Sequence, residues 1–483
     1  MTEKSLKNKT ISGLIWRFLE RCGAQGVNFI VQIILARLIA PELYGTIALV
    51  TVFTAILQIF VDSGMGNALI QKKDADDLDF SSVFYFNMAV CVVLYLGMYI
   101  ASPYIAAFYN DDELVAVIRV MSLVLIIAGV KNIQQAYVSR TMQFKRFFFA
   151  TLGGTIMAAV VGIWMAYAGY GVWALVAQNL TNKIIDTIAL WITVKWRPKL
   201  MFSLQRLKGL ASYGWKLLVS SLLQTVYNNV RQLIMGRLYT TAELGYYNRG
   251  KEIPFAIIGN INTTIDSVLF PALSSRQEIL EKVKSMTRRA IKISSYIMWP
   301  MMMGLVFTAE PIIELLLTHK WIDSVPYFRI FCITCVFYPI QTANLNAIKA
   351  LGRSDIFLKL EIIKKVIGII IVICTMWFGP LIMAYSLLFT SLVNQVVNSW
   401  PNKKLLNYSY IEQLRDIVPF MLLSIFMGIC IYGLNFIGMG YAITLIFQII
   451  LGVIIYVTGS LVLKFDSFYY LLDIIKGMGK TKK

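Results

Sequence analysis

Apolar runs of membrane-spanning length follow one another almost without pause along this chain, and that pattern excludes most folds. A helix needs about 20 predominantly apolar residues to cross the hydrocarbon of a bilayer. Such runs recur near 11–36, 43–61, 83–102, 114–138, 148–168, 171–194, 211–236, 253–273, 290–317, 325–348, 360–378, 381–400, 416–436 and 441–463. Backbone polar groups in lipid must be satisfied within the protein, which leaves helices or closed barrels. Barrel strands alternate apolar and polar residues over about ten positions, whereas these runs are continuously apolar. The expected fold is an all-α polytopic membrane protein of about 14 transmembrane helices, with short turns near 168–171 and 378–380. Outer loops are short throughout, so no extracytoplasmic domain is expected. The first apolar run is charged, too long for a signal-peptide core and lacks a small-residue cleavage site, so it is expected to stay as helix one.

Charge fixes an expected orientation. The formal net charge is +19, although only 15% of residues are charged and 58% are hydrophobic. With the amino terminus in the cytoplasm, the loops on that side hold most of the 45 Lys and Arg residues, including the cluster 195–208, the cluster 276–292 and the tail lysines. The positive-inside rule favours this arrangement, and cationic loops facing anionic headgroups account for the surplus without a nucleic-acid partner. The six cysteines all lie in apolar runs, where a thiol behaves as a small hydrophobe. The Cys332-Ile-Thr-Cys335 spacing lacks a βαβ context or a second ligand pair, so no metal and no cofactor are expected.

Polar residues inside the apolar runs carry the functional information. Arg17, Arg21, Gln25, Asn28 and Gln32 fall at helical spacing on one stripe of the first run, and Lys216, Ser220, Gln224, Asn228 and Arg231 do the same in the seventh. A cation facing lipid at mid-bilayer costs about 2.5–3.5 kcal/mol on insertion scales, so such residues face a hydrated interior or a partner. Gln58 and Asp62 on the second run, with Asn262 and Asp266 on the eighth, would extend the lining of one central cationic cavity, to which Lys131, Gln134, Gln135, Asn394, Gln395 and Asn398 add polarity. Lys183 and Asp186, three apart on one helix, are expected to neutralise each other. Arg17 and Glu20 have the same option, and Arg17, Lys131 and Lys216 lie near enough to helix ends to snorkel. Arg21 and Arg231 sit deeper and are the stronger substrate-binding candidates. Arg37 and Arg237 read as interfacial anchors.

The two stripes belong to a repeat. NFIVQIILARL (28–38) aligns in register with NNVRQLIMGRL (228–238), and Glu42-Leu43 with Glu243-Leu244 after one inserted residue. A repeat of about 200 residues with an even number of spans implies parallel duplicated bundles. The expected division is therefore an N-lobe at 1–202 (helices 1–6), a C-lobe at 203–402 (helices 7–12), and helices 13–14 with a basic tail at 403–483. The basic, Pro-containing stretch 195–208 is the expected lobe linker.

A membrane-buried cationic cavity suits a phosphate or pyrophosphate, because the guanidinium fork matches oxyanions. The neighbouring amides suit sugar hydroxyls. Trp16, Tyr213, Trp215 and Tyr227 read first as an interfacial aromatic belt and second as sugar platforms. Enzymatic motifs are weak. Asp74-Ala-Asp76 and Asp77-Leu-Asp79 form DxD patterns in a short loop without a nucleotide-binding domain, His319 has no partner at motif spacing, and no phosphate-binding glycine loop occurs. The chain reads as a transporter and not an enzyme.

Three stretches, ILARLIAPELYG (34–45), DSGMGNALI (62–70) and YGVWALV (170–176), resemble the Wzx-type polysaccharide flippases of the multidrug, oligosaccharidyl-lipid and polysaccharide (MOP) exporter superfamily, in the branch of teichuronic-acid and colanic-acid exporters. The resemblance covers most of the chain and is strongest over the first 200 residues. It implies two six-helix lobes around a central cavity, plus two appended helices. It further implies an electropositive lumen, carried here by Arg17, Arg21, Lys216 and Arg231. The implied activity is translocation of undecaprenyl-pyrophosphate-linked oligosaccharide repeat units from the inner to the outer leaflet of the bacterial cytoplasmic membrane, for surface polysaccharide biosynthesis, by alternating access. Membrane lipids and a polymerase or assembly protein are the implied partners, and Glu20, Asp62 and Asp266 the candidates for ion coupling. A peptidoglycan-precursor flippase is the nearest alternative. A drug or cation exporter of the same superfamily should have an acidic cavity, and a membrane-embedded polymerase a large outer loop.

Overall fold

The computed structural model describes residues 16, 23–62, 65–72, 74–141, 143 and 145–480. All secondary structure among them is helical or turn. By contacts the chain parts into two compact units, Met1–Gly245 and Tyr246–Lys483.

The first unit contains α1 (Gly23–Leu38), α2 (Pro41–Asp62), α3 (Met65–Gln71), α4 (Asp77–Tyr109), α5 (Glu113–Met121), α6 (Leu123–Arg140), α7 (Lys145–Tyr167), α8 (Val172–Thr193), α9 (Leu204–Leu238) and the start of α10 (Thr241–Ser274). From the second run onward, each expected span falls largely on helix, and nine helical segments among the described residues are long and apolar enough to cross a membrane. The expected turn after α7 is made by Gly169 and Gly171 at φ +80° and +54°, a left-handed backbone that costs glycine little. The fourth run is interrupted between α5 and α6 at Ser122, whose N–H still donates to Ile118 O at 2.9 Å. Helices α7 and α8 pair through small residues: a Cβ on Gly154 would lie 2.9 Å from Asn182 O, and one on Gly162 2.9 Å from Gln178 Cβ. Small residues allow such approach where no hydrophobic force separates helix from lipid.

Glycine also sets the contact among α2, α9 and the start of α10. A Cβ on Gly45 would fall 1.8 Å from Thr241 O, one on Gly245 2.2 Å from Pro41 O, and one on Gly236 2.2 Å from Leu49 Cδ2. Gly45 and Gly245 lie one position apart in the aligned repeat copies. Helix α9 packs on α2, α3 and α4, so by contact it belongs to the first unit, whereas the division at 202/203 follows the repeat.

The second unit holds the rest of α10, then α11 (Leu280–Phe307), α12 (Ala309–Leu317), a 3-10 turn (His319–Ser324), α13 (Val325–Cys335), α14 (Tyr338–Ala350), α15 (Ser354–Thr375), α16 (Pro380–Leu406), α17 (Tyr410–Tyr432), a second 3-10 turn (Gly433–Ile437), α18 (Tyr441–Val462) and α19 (Asp466–Lys480). The ninth expected span breaks at Thr308 and the tenth between Cys335 and Tyr338. Its interior is unusually polar. Asn344 Nδ2 donates to Gln413 Oε1 at 2.9 Å, Gln413 Nε2 donates to Asn344 Oδ1 at 3.1 Å, and Asn402 Nδ2 donates to the same oxygen at 2.6 Å. All three residues are fully buried. These bonds satisfy the Asn344 and Gln413 amides, which lipid could not, while Asn402 Oδ1 has no hydrogen-bond partner among the described residues.

Candidate functional site

Helices α1 and α9 present the expected polar stripes. On α9, Ser220, Gln224 and Asn228 are exposed at successive four-residue steps, and Gln224 Nε2 donates to Asn228 Oδ1 at 3.1 Å. The apolar Val219, Leu223 and Val226 are exposed beside them, so one helix offers both a wet and a greasy arc. Gln25 and Asn28 on α1 are exposed and Gln32 is half-buried. Arg231 differs from its neighbours on the stripe. It is only 7% exposed, on the stretch where Gln232 Nε2 donates to Ala48 O at 2.7 Å and Gly236 meets Leu49. Arg17, Glu20 and Arg21 lie outside the described residues, as does the side chain of Lys216.

The remaining candidates acquire specific partners. Asp62 Oδ1 accepts from Gln58 Nε2 at 3.2 Å and from Asn132 Nδ2 at 3.1 Å. Asn132 was not among the sequence candidates, and nothing in its local spacing ties it to a residue seventy positions away. Asp266 Oδ1 stands 3.8 Å from Lys349 Nζ. Asn262 is half-buried and its Oδ1 has no hydrogen-bond partner among the described residues. The expected neutralisation of Lys183 by Asp186 gives way to a cross-helix pair: Asp186 Oδ2 is bonded to Lys131 Nζ, because the α6–α8 contact brings the lysine onto the carboxylate. Trp16 packs with tilted rings against Phe148 and Phe149, with Lys145 over its ring, and Arg237 lies over the Phe108 ring at 5.0 Å. His319 Nδ1 lies 3.2 Å from Glu314 Oε2 in an exposed local pair.

The DxD aspartates build structure. Asp76 caps α4: the Asp79 N–H donates to Asp76 Oδ1 at 3.0 Å, and Asp79 Oδ2 accepts from the Asp76 N–H at 3.2 Å. Fully buried Asp79 also binds Lys72 Nζ at 2.6 Å and Arg206 at 3.3 Å. Asp77 accepts from Lys199 Nζ at 2.6 Å and from Trp196 Nε1 at 3.1 Å. The Lys199 and Ser203 N–H groups donate to Ser81 and Ser82 Oγ, and Gln134 Nε2 donates to Trp196 O at 3.0 Å. The connection before α9 is therefore clasped onto the α4 N-terminus. The Asp79 N–H bond, reinforced by the Arg206 guanidinium at 2.8 Å, holds the Asp76 carboxyl below the usual carboxylate range.

The fold has solved counterparts. Over 96% of this chain and 100% of the other, at 15% identity and a TM-score of 0.77, it is similar to the lipid II flippase MurJ in an inward closed conformation. Over 82% and 94%, at 15% identity and 0.62, it is similar to an inward-facing multidrug resistance MATE transporter of the MOP superfamily. The chain therefore shares the fold of these two structures, and its apolar helices mark it as a multi-pass membrane protein. Residues 34–326 match the family described as polysaccharide biosynthesis protein, and the chain belongs to that family. Among named relatives it is 23% identical to the teichuronic acid biosynthesis protein TuaB of Bacillus subtilis, over 79% of this chain and 80% of that one. It is 22% identical to the succinoglycan biosynthesis transport protein ExoT of Rhizobium meliloti, over 84% and 80%, and 22% identical to the lipopolysaccharide biosynthesis protein WzxC of Escherichia coli, over 89% of both.

Proposed function

We propose that this chain flips a polyprenyl-pyrophosphate-linked oligosaccharide from the inner to the outer leaflet of the bacterial cytoplasmic membrane, with its amino terminus in the cytoplasm. Family membership supports a role in polysaccharide biosynthesis. The observation that carries the reading is the pair of arcs on α9, exposed amides at Ser220, Gln224 and Asn228 beside exposed apolar Val219, Leu223 and Val226. Such a helix can face a hydrated sugar on one side and lipid on the other. In this reading Arg17, Arg21, Lys216 and Arg231 meet the pyrophosphate, and Gln25, Asn28, Gln32, Gln58, Gln224, Asn228 and Asn262 line the path of the glycan. The lobes, 1–202 and 203–402, alternate, while 403–483 is appended. Asp62, held by two amide donors, and Asp266, beside Lys349, are the candidate coupling groups with Glu20.

The test is co-purification in mild detergent followed by native mass spectrometry, with Arg21→Gln/Arg231→Gln alongside. A polyprenyl-pyrophosphate oligosaccharide on the wild type and depleted on the variant is the expected result. Bulk phospholipid alone on the wild type, where a control flippase keeps its ligand, would refute the reading.

A further inference from the structure

A second cationic site lies in the second unit, between α11 and the start of α19. A cavity of about 410 Å³ opens there, lined by Arg288, Arg289 and Lys292 of α11 and by Asp466, Ser467 and Tyr470 of α19. The three cations are fixed in place. Arg288 donates through Nε and Nη2 to the two oxygens of Asp416 at 2.6 and 2.7 Å. Lys292 Nζ stands 3.6 Å from the same carboxylate, which also accepts from Tyr408 OH at 2.9 Å. The Arg289 guanidinium carbon lies 3.5 Å over the Tyr470 ring. Three carboxylates, Glu412, Asp416 and Asp466, face four cations, Lys284, Arg288, Arg289 and Lys292, so the site keeps a positive surplus suited to a phosphate oxyanion.

The surroundings select a membrane amphiphile over a free ion. Ile293 lines the cavity, and Ile297 and Met301, at successive four-residue steps up α11, are exposed apolar residues. The end of α18 next to α19 is equally bare, with Val462 79% and Leu463 54% exposed. A head-group pocket with an apolar track leading from it along a membrane-spanning helix is the shape of a phospholipid site. We propose that this pocket holds the phosphate of an anionic glycerophospholipid and that the lipid bridges α19 to α11. Nothing in the proposed transport path uses these residues.

The test uses the full chain in phosphatidylcholine nanodiscs with increasing phosphatidylglycerol, read by thermal shift and by hydrogen exchange over 462–473. Phosphatidylglycerol is expected to raise the unfolding temperature and protect the start of α19. Arg289→Gln/Lys292→Gln should weaken the response by about fivefold for each charge removed. Lys403→Gln/Lys404→Gln removes equal charge from exposed positions outside the pocket and should leave the response intact. Ile293→Trp fills the cavity without changing charge and should abolish the response while keeping the fold. Inorganic phosphate or pyrophosphate reproducing the effect in pure phosphatidylcholine would overturn the lipid assignment. Equal loss in the Lys403/Lys404 variant, or an unchanged response in Ile293→Trp, would overturn the site, and a polyprenyl phosphate outcompeting phosphatidylglycerol would overturn the lipid class.

Discussion

Two regions of the first unit treat polarity in opposite ways. At the clasp, the carboxylates of Asp76, Asp77 and Asp79 are matched to Arg206, Lys199 and Lys72 in that order, and the backbone amides of Lys199 and Ser203 to Ser81 and Ser82. Along α9, the amides of Gln224 and Asn228 are exposed and bonded only to one another among the hydrogen bonds described. Polar groups that hold a fold together are paired and partly buried, whereas polar groups that await a ligand are spaced, exposed and left with spare donors and acceptors.

That contrast breaks most easily at Asp79. Replacing it by alanine removes half of the α4 capping box and the buried carboxylate that Lys72 and Arg206 share, while Arg206 keeps Asp76, so apparent stability should fall by about 1–2 kcal/mol, read from thermal unfolding in detergent. A neutral result would mean that the clasp is solvated and the contrast false. Gly45→Val probes the contact beside the stripe. Its added carbon cannot occupy a space 1.8 Å from Thr241 O, and overpacking of this kind costs about 1–3 kcal/mol. Export in cells should drop about tenfold or more at unchanged expression, and unchanged export would show that this approach is dispensable. Gln224→Ala/Asn228→Ala should show the reverse signature to Asp79→Ala, with stability altered by less than about 0.5 kcal/mol while recovery of co-purified lipid-linked glycan falls about tenfold, since each hydrogen bond to a sugar hydroxyl contributes about 0.5–1.5 kcal/mol. A stability loss without a binding loss would place these amides with the clasp.

The smallest expected effect is that of pH. Asp76 is held below its ordinary carboxylate range by the Asp79 N–H and the Arg206 guanidinium, and the exposed Asp355 is lowered to about 2 by Arg353. A depressed carboxyl contributes stability above its unfolded pKa and loses it as pH falls through the folded value. Between pH 8 and 5 these groups should leave the unfolding temperature flat, and their contribution should fade only below about pH 4. A slope between pH 5 and 7 that Asp76→Asn removes would contradict this.

The membrane fold was legible because apolar runs of spanning length mean helix whatever their neighbours do. The breaks at Ser122, at Thr308 and between Cys335 and Tyr338 were not, since they depend on packing and leave the hydropathy unbroken. The polar stripe of α9 could be read from spacing alone, but the burial of Arg231 could not, because it depends on α9 packing against α2, where Gln232 bonds Ala48 O and Gly236 meets Leu49. Pairings across helices were invisible for the same reason. Asp186 finds Lys131 and Asp62 finds Asn132 only after α2, α6 and α8 have assembled. Charge spacing within one helix suggested Lys183 instead, and the DxD aspartates resembled a solvated loop until the chain at 195–203 came to meet them.

The glycines at 45, 236 and 245 bear on what it costs to close the contact among α2, α9 and the start of α10. A contact made by long side chains freezes rotamers each time it forms, at up to about 2 kcal/mol for each flexible side chain. Where backbone meets backbone, as at Gly45 with Thr241 and Gly245 with Pro41, there is almost no rotamer freedom to lose. Such a junction closes at little entropic cost, and its distance is set by rigid peptide geometry.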